Sequence, residues 1–328
     1  MTKLSNARKV RAYTNIALIK YWGKRDDALI LPTSSSLSLT LDAFYTETVV
    51  SFDASCEKDT FYLNDKIQDE AATLKVSRFL NLFRETAGLK TPAIIRSTNY
   101  VPTAAGLASS ASGMAALAGA ANLATGLNLS PQELSIFARQ GSGSATRSVY
   151  GGFVEWQKGT SSADSYAVKV DDADWDIGMV VVVVNKKQKE LSSREGMKRT
   201  VATSPFYSGW VESTAVDLVN IKKAIRDQDF EQVGEITESN GMKMHGTMLG
   251  ANPPISYWEP DSVVAMQLVR QLRKQGIPCY FTMDAGPNVK VLCRLSDSQK
   301  IKTAFLNYFN EEQLIISGPG SDLKEVSL

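Results

Sequence analysis

The stretch Pro102-Thr-Ala-Ala-Gly-Leu-Ala-Ser-Ser-Ala-Ser-Gly113 is followed directly by the alanine-rich segment Met114–Thr125. Small residues let a backbone approach an anion closely, and a helix that begins here would point its free N–H groups and positive dipole end at the same place. The stretch is not a Walker A loop, because Met114 and not a lysine follows Gly113. An ordinary loop leading into a buried helix would have the same composition. The pattern alone is therefore compatible with both a phosphate-binding loop and a structural loop.

Length and composition describe a globular chain without a strong overall charge. The 328 residues are enough for one large domain or two lobes, and 43% apolar with 22% charged residues is ordinary for a globular protein. A net charge of +1 gives no field that would recruit nucleic acid or an anionic membrane. The longest apolar run, Ile177–Val184, is far shorter than the roughly 20 residues of a membrane helix. We therefore predict a cytoplasmic protein with neither a nucleic-acid nor a membrane partner.

The cysteine and histidine content restricts the chemistry. Cys56, Cys279 and Cys293 are widely spaced and form no CxxC pair, which argues for a reducing compartment and against a disulfide framework or a zinc site. His245 is the single histidine. A general base is therefore expected to be a carboxylate.

Periodicity predicts a mixed α/β chain. Gln68–Ala87 has the apolar spacing of a helix, and Ser130-Pro-Gln-Glu133 is a capping box that opens another helix. Ile177–Val184 is almost continuously apolar and β-branched, which predicts a strand buried on both faces. We therefore predict two α/β lobes that share a cleft, with residues 1–185 in the first lobe and residues 186–328 in the second.

Two predicted strands flank the turn Asp284-Ala-Gly-Pro-Asn288. Pro278–Met283 precedes the turn and Val289–Arg294 follows it. The turn would fix the Asp284 carboxylate at the end of a strand, although an aspartate at such a position is more often a turn former. The local pattern therefore leaves a catalytic and a structural aspartate open.

Three segments concentrate groups that bind anions. Asn15–Arg25 carries two lysines four residues apart with aromatic neighbours, a composition that a basic surface turn shares. Gly141-Ser-Gly-Ser-Ala-Thr-Arg147 offers backbone N–H groups, two hydroxyls and a guanidinium, which favours an oxyanion site over a flexible turn. Lys186–Arg194 follows the predicted buried strand, where α/β sheets often bind ligands, although most of its lysines fit a solvated charge run.

Taken together, these segments resemble the diphosphomevalonate decarboxylase family of the GHMP superfamily of small-molecule kinases. The resemblance runs almost end to end, and Tyr-Trp-Gly-Lys, Gly-Ser-Gly-Ser-Ala-x-Arg and Asp-Ala-Gly-Pro-Asn distinguish this family from its sibling kinases. One departure is Met283, where phenylalanine is common. The matching segments are residues 15–25, 31–38, 102–113, 141–152, 192–197 and 283–288.

The resemblance implies a fold and a reaction. The implied fold is the two-lobed GHMP kinase-like α/β (α+β) fold, with a ribosomal-protein-S5-like N-terminal lobe, a ferredoxin-like C-terminal lobe and the active site in a shared cleft. The implied reaction converts ATP and (R)-5-diphosphomevalonate to isopentenyl diphosphate, ADP, phosphate and CO₂ through phosphorylation of the C3 hydroxyl. Mg²⁺ is expected to arrive with ATP and to keep mostly water and phosphate ligands. The resemblance also implies a homodimer.

The resemblance assigns roles to individual residues. Asp284 would be the base or orienter of the C3 hydroxyl, Arg147 would hold the substrate carboxylate and the leaving phosphate, and Lys20 would lie close to Asp284. The residues implied for the diphosphate end of the substrate are Tyr21, Lys24, Ser142, Ser144 and Arg194, with Met197 adding packing or backbone contacts. The residues implied for ATP are Ser97 near the adenine, Ser109, Ser110 and Ser112 at the phosphates, and Lys189 closing over the nucleotide. Ser110 is the first choice for the hydroxyl nearest the metal and the γ-phosphate.

Two alternatives stay open at this point. A sibling enzyme acting on mevalonate or its 5-phosphate, such as a mevalonate 3-kinase or a phosphomevalonate decarboxylase, would share the fold. The presence of Asp284 together with Lys24 and Arg194 weighs against it. A non-catalytic sensor that kept the cleft for binding would be expected to have lost a catalytic residue, and none is missing here.

Overall fold

The computed structural model describes residues 7–100, 110–185 and 191–328, which form two β-sheets with helices packed on them. The strands are β1 (Arg8–Ile19), β2 (Lys24–Asp26), β3 (Leu31–Pro32), β4 (Ser36–Phe52), β5 (Thr60–Leu63), β6 (Lys66–Ile67), β7 (Ala93–Tyr100), β8 (Phe153–Trp156), β9 (Ala167–Asp171), β10 (Gly178–Val182), β11 (Cys279–Met283), β12 (Val289–Cys293), β13 (Leu314–Ser317) and β14 (Lys324–Val326). The helices are α1 (Glu70–Ala87), α2 (Ser110–Thr125), α3 (Pro131–Gly141), α4 (Ser193–Thr203), α5 (Tyr207–Arg226), α6 (Phe230–Leu249), α7 (Pro260–Lys274) and α8 (Ser298–Phe305). Within these ranges no helix is both long enough and apolar enough to cross a membrane.

The described strands divide between a large sheet, a small sheet and a short ribbon. The large sheet runs in the order β14-β1-β4-β7-β5-β6, with β8 attached to β4 and β9 attached to β8. The small sheet runs β11-β12-β10-β13, and β2 pairs with β3. Within the large sheet β5 is parallel to β7, whereas β1 and β4 form a long antiparallel pair. Each sheet is the centre of one lobe.

Local signals account for where two predicted helices begin and end. The Asp69 side chain accepts the N–H of Ala72 at the start of α1, and Gly88 ends the helix with a φ of 67°. This left-handed conformation suits glycine. At α3 the side chain of Ser130 accepts the N–H of Glu133, while the Glu133 carboxylate accepts the N–H of Ser130. The helix over residues 68–87 and the capping box are therefore confirmed.

Small side chains allow α2 to lie inside the first lobe. Its alanines are buried against β1 and against apolar side chains of α1 such as Phe79. At Gly119 the approach is closest, because a Cβ there would lie 2.8 Å from Cγ1 of Val10. Ser110 is the first residue of the helix. The alanine-rich segment is thus a packed core helix whose N-terminus begins at the end of the glycine- and serine-rich stretch.

The strand predicted at Ile177–Val184 is observed as β10, and all of its residues are buried. It pairs with β12 and β13, so it belongs to the small sheet. The chain therefore enters the second sheet before residue 185, and β14 later returns to pair with β1 in the first sheet. The predicted division into residues 1–185 and 186–328 does not follow this hydrogen bonding. The hydrogen bonding instead divides the lobes between Asp171 and Gly178 and assigns β14 to the first lobe.

Alternation along β11 and β12 decides which side chains face the first lobe. The odd-numbered residues, such as Phe281, join the core cluster that includes α7 and α8. Tyr280 faces the opposite way and joins the core cluster that includes residues of β1, α5 and α6. Thr282 and Lys290 are cross-strand partners on this second face. Because side chains alternate, Asp284 follows on the same face.

We expect Ala116→Leu to destabilise the protein by about 1–3 kcal/mol, because Ala116 is fully buried in α2 and added volume has no space there. Helix propensity hardly changes between alanine and leucine. Urea unfolding measures the effect. Ala71→Leu, at an exposed position of α1, is the matched control and should stay within about 0.5 kcal/mol of the parent. Equal unfolding midpoints for the two variants would contradict the packing described for α2.

Candidate active site

A cleft of about 810 Å³ lies between the two lobes and takes its lining from both. It is bounded by the end of β1, by α1, α2 and β7, by the N-terminus of α4, and by the turn that follows β11. The structure brings most of the predicted site residues to this cleft: Lys20, Tyr21, Lys24, Ser97, Ser110, Ser142, Ser144, Arg147, Arg194, Met197 and Asp284.

An ion pair between the two lobes forms the floor of the cleft. Lys20, which follows β1, places its Nζ 2.8 Å from Oδ1 of Asp284, which follows β11. The Lys20 side chain is 1% exposed and that of Asp284 is 41% exposed, so the ammonium group lies beneath a carboxylate that faces the cleft. Burial would raise the pKa of the Asp284 carboxyl, but the charges of Lys20 and of Lys290 outweigh it and hold this pKa well below its usual range. Asp284 is therefore an anion that a ligand in the cleft can reach.

Helix α6 supports Lys20 from behind. The backbone N–H of Lys20 donates to Oδ1 of Asn240 at 2.8 Å. Gly241 allows α6 to approach β11 closely, because a Cβ at this position would lie only 2.9 Å from Oγ1 of Thr282. Burial lowers the pKa of the Lys20 ammonium to about 8, although the charge of Asp284 acts in the opposite direction. Lys20 is thus a cation at neutral pH that loses its charge under mildly alkaline conditions.

Arg147 is held rigidly in a 3-10 helix over Gly143–Val149. The side chain is buried, and its Nε and Nη1 atoms donate to Oδ1 of Asn15 at 3.3 Å and to Oγ of Ser36 at 2.5 Å. Burial lowers the pKa of the guanidinium to about 10, against the opposing charge of Asp284, so the group stays charged at neutral pH. Because these two hydrogen bonds go to neutral oxygens, the charge of Arg147 is available to an anionic ligand.

Further cations lie at the rim of the cleft. Lys24 forms an ion pair with Asp27, whose side chain is 75% exposed, with 2.9 Å between Nζ and Oδ1. Arg194 lies exposed in the first turn of α4. Met197, one turn further along the same helix, packs on the apolar cluster around Trp22. An exposed carboxylate holds its partner weakly, so an incoming anion can replace Asp27.

The glycine- and serine-rich segment before Arg147 closely contacts an aromatic ring. A Cβ at Gly143 would lie 2.8 Å from the ring of Tyr21, so the glycine permits this contact. The Tyr21 hydroxyl is buried and has no hydrogen-bond partner among the described residues. The hydroxyls of Ser142 and Ser144 are 3.2 Å apart beside it. The Tyr21 hydroxyl is therefore available to hydrogen-bond a ligand in the cleft.

The end of the cleft inside the first lobe has an apolar wall. Phe61, Val76 and Met114 line it, and Ser97 joins them from β7. Ser110, exposed at the N-terminus of α2, lines the same cleft. A planar base fits the apolar wall, and phosphates fit a helix N-terminus. The sequence motifs gave no signal for Phe61 or Val76, because both lie in ordinary strand and helix patterns.

Three predicted ATP residues do not appear in the described cleft. The Ser112 hydroxyl is fully buried, 3.2 Å from Oγ1 of Thr14 and 2.8 Å from Oγ1 of Thr46. It lies on the face of α2 that packs on β1 and β4, so its contact with ATP phosphates stays a prediction that this placement does not support. Ser109 and Lys189 lie outside the described residues, as does most of the stretch from residue 102 to 113.

His245 is buried beside the floor of the cleft. The indole Nε1 of Trp258 donates to its Nδ1 at 3.0 Å. Burial lowers the pKa of the imidazole to about 4, so His245 is neutral at physiological pH. A histidine fixed by a tryptophan lacks the carboxylate partner of a catalytic triad, which agrees with the expectation that a carboxylate is the base.

Sequence reasoning missed Lys290. Its side chain is 5% exposed, and its Nζ lies 3.2 Å from Oδ2 of Asp284. The available signal was a lysine within the otherwise apolar strand Val289–Cys293. A charged residue in such a strand is rarely buried without a partner.

Comparison with known proteins agrees with this geometry. The family model described as the diphosphomevalonate decarboxylase-like N-terminal domain matches residues 12–167, and that of the mevalonate 5-diphosphate decarboxylase C-terminal domain matches residues 179–322. The gap between the two matches lies where the hydrogen bonding divides the lobes. A curated relative, the diphosphomevalonate decarboxylase of Ganoderma lucidum, is 38% identical, and the alignment covers 92% of this chain and 82% of the relative.

Solved structures share the whole fold. The mevalonate diphosphate decarboxylase from Staphylococcus aureus superposes with a TM-score of 0.95 at 47% identity, covering 98% of each chain. A structure described as MDDEF in complex with MVAPP, AMPPCP and magnesium superposes with a TM-score of 0.93 at 53% identity, covering 98% of this chain and 99% of that one. The predicted two-lobed α/β fold is confirmed. The chain belongs to the diphosphomevalonate decarboxylase family.

Proposed function

We propose that this chain catalyses the ATP-dependent decarboxylation of (R)-5-diphosphomevalonate to isopentenyl diphosphate, with release of ADP, phosphate and CO₂, in the mevalonate pathway of isoprenoid biosynthesis. The observation that carries the proposal is the Lys20–Asp284 ion pair, which presents an ionised carboxylate to a cleft that also holds the Arg147 guanidinium. The activity named for the curated relatives supports the same function.

The chemistry explains why such a site is needed. A tertiary alcohol is a poor leaving group, and phosphorylation of the C3 hydroxyl converts it into a good one. Loss of the phosphate leaves positive charge at C3, and the departing carboxylate supplies the electrons of the new double bond. The protein must therefore align the C3 hydroxyl with the γ-phosphoryl group and neutralise several anions that lie close together.

We assign to Asp284 the role of accepting a hydrogen bond from the C3 hydroxyl. Its pKa lies far below that of an alcohol, so removal of the proton before the O–P bond forms is strongly unfavourable. The hydroxyl becomes acidic as its oxygen bonds to phosphorus, and the proton then passes to Asp284. Lys20, beneath the carboxylate, keeps it oriented until this step.

The remaining cations divide between the two ends of the mevalonate substrate. Arg147 holds the substrate carboxylate and stabilises the leaving phosphate, because a guanidinium can bind an oxyanion with two parallel hydrogen bonds. The diphosphate is held at the rim, where Lys24 and Arg194 can add charge that a mevalonate without phosphates would not require. The residues that we assign to the diphosphate are Tyr21, Lys24, Ser142, Ser144 and Arg194, with Met197 in packing contact.

ATP occupies the part of the cleft inside the first lobe. We assign the adenine to the wall beside Ser97 and the phosphates to the N-terminus of α2 at Ser110. The described residues hold no cluster of three or more His, Cys, Asp or Glu side chains fit for a metal ion. The Ser110 hydroxyl would help to hold Mg²⁺ that is bound to the phosphates of ATP, and the ion would supply charge neutralisation for those phosphates. The MDDEF complex with AMPPCP and magnesium supports this assignment.

We also propose that the enzyme is a cytoplasmic homodimer. The free thiols of Cys56, Cys279 and Cys293 support a reducing compartment. The dimer rests on the family resemblance, and analytical ultracentrifugation of the purified chain tests it.

We expect Asp284→Asn to lower kcat by about 10²–10⁴-fold or more, because the amide keeps the shape of the side chain but cannot accept the hydroxyl proton. The Kd for ATP should stay near the parental value. A coupled assay for ADP and CO₂ with 5-diphosphomevalonate measures the first effect, and equilibrium titration measures the second. Asp227→Asn, at the exposed end of α5, is the matched control. Turnover of Asp284→Asn within a few-fold of the control would rule out the assigned role.

The pH dependence of kcat/KM should show a limb on the alkaline side near pH 8, because Lys20 loses its charge as the pH rises through about 8. In Lys20→Arg the cation persists to far higher pH, so the limb should move beyond pH 10 or disappear even if the plateau is lower. Initial rates at low concentrations of 5-diphosphomevalonate measure both profiles. An unchanged limb in Lys20→Arg would assign it to another group.

Ser110→Ala removes a hydroxyl but little volume, and we expect weaker catalysis and a higher KM for ATP with an unchanged Tm, because the hydroxyl lies at the N-terminus of α2 where phosphates bind. Steady-state kinetics and thermal unfolding measure these effects. Ser208→Ala changes an exposed serine in the first turn of another helix, α5, and serves as the control. If Ser110→Ala and Ser208→Ala behave alike, the phosphates are not held by Ser110.

A further inference from the structure

Lys290 is a buried cation that the proposed reaction does not use. It lies on β12 with 5% of its side chain exposed, and its Nζ is 3.2 Å from Oδ2 of Asp284. The same Nζ donates to the backbone oxygen of Asn288 at 3.2 Å. A lysine is rarely buried to this extent. Its two acceptors show that this position is built for an ammonium group.

Each oxygen of the Asp284 carboxylate has its own lysine. Lys20 is 2.8 Å from Oδ1 and Lys290 is 3.2 Å from Oδ2. One lysine follows β1 of the first sheet and the other lies on β12 of the second, so they hold the carboxylate from two sides. Contact with a single oxygen would leave the carboxylate plane free to rotate, whereas contact with both fixes it. Because a carboxylate offers about four acceptor positions, lone pairs remain for a ligand on the exposed side.

Lys290 also holds the turn that carries Asp284. Its ammonium group binds the backbone oxygen of Asn288, whose own side-chain Oδ1 accepts the N–H groups of Val184 and Asn185 at 2.8 and 3.1 Å. The turn is thereby connected to the residues that follow β10. Lys290 thus contacts both the catalytic carboxylate and the backbone that determines where the carboxylate lies.

Among the described residues, Lys20 and Lys290 are the side chains that contact the Asp284 carboxylate directly. Two other titratable groups lie nearby. Arg147 acts on Asp284 through its charge and donates instead to Asn15 and Ser36. His245 is neutral at physiological pH, because burial lowers its pKa to about 4.

We propose that Lys290 is a positioning residue of the reaction, whose ammonium group holds the Asp284 carboxylate in the orientation that accepts the hydrogen bond of the C3 hydroxyl. The role of Asp284 in this inference rests on the proposed function. The placement of Lys290 rests on the geometry alone.

The first test is kinetic. Lys290→Met keeps the apolar stem of the side chain and removes the charge. The Asp284 carboxylate still has Lys20 as a partner and is partly exposed to solvent, so we expect the variant to fold. We expect kcat to fall about 100-fold, because a displacement of about 1 Å at the reacting groups can reduce the rate by that factor. The KM values for ATP and 5-diphosphomevalonate should stay near those of the parent. Lys290→Arg should recover at least part of kcat. Thr282→Val, which changes the cross-strand neighbour of Lys290, is the matched control and should keep parental kcat.

The second test uses the free protein and requires no activity. Carbon-13 NMR of the aspartate carboxyls, with the Asp284 signal identified by its loss in Asp284→Asn, follows the ionisation of this group. We expect its midpoint to rise by about 1–3 pH units in Lys290→Met, since one of two opposite charges is gone. It should stay parental in Thr282→Val. If Lys290→Met melts early, Lys290→Gln, which keeps a hydrogen-bond donor without the charge, replaces it in both tests.

The outcomes separate the two proposals. A lower kcat together with a raised Asp284 midpoint supports the positioning role. An unmoved midpoint overturns it whatever happens to kcat, because Lys290 would then act elsewhere or only on stability. An unchanged kcat with a raised midpoint also overturns it. If the parental chain does not decarboxylate 5-diphosphomevalonate, the proposed function fails, and the NMR titration still decides whether Lys290 holds Asp284.

Discussion

The ion pair between Lys20 and Asp284 joins residues that are 264 positions apart and belongs to neither lobe alone. It forms because β1 ends beside the second sheet and because Asp284 follows β11 on the face of its even-numbered residues. Without Asp284 the buried charge of Lys20 would be left uncompensated. The packing of both lobes is therefore a condition for the chemistry at this single contact.

Positive charge exceeds negative charge around that contact. Lys20 and Lys290 share one carboxylate, and the guanidinium of Arg147 donates to neutral oxygens. Lys24 has an exposed partner that an anion can replace. Charges interact more strongly in a cleft that excludes much of the water. Such a site is electrostatically incomplete without an anionic ligand, which agrees with the proposed substrate, whose diphosphate adds negative charge that mevalonate lacks.

Arg147 could be singled out from the residues alone, because it stands in a short motif dense in hydrogen-bonding groups. Asp284 stands in a turn that fits a structural aspartate equally well, so its role came from the family resemblance. Three features show the limit of that reasoning. Ser112 lies in a stretch rich in hydroxyls, but the turn of α2 directs its side chain into the core. Lys290 lies outside any motif, and its role depends on a pairing between strands. The strand β14 was missed for a similar reason, since its pairing with β1 depends on the path of the chain rather than on its own composition.

The path of the chain between the two sheets restrains the position of the two lobes. After β13 the chain leaves the second sheet and returns to the first, where the N–H of Gly151 donates to Oδ1 of Asp322 at 2.7 Å. The two segments are so close that a Cβ at Gly151 would lie 2.4 Å from the backbone oxygen of Gly320. The lobes are thus connected both before β10 and after β13, and two connections restrain rotation of one lobe against the other far more than one hinge would. Phosphoryl transfer depends on the position of the reacting groups to within a fraction of an ångström. The separation of Lys20 and Asp284 is therefore set by this doubly connected frame before substrate binds.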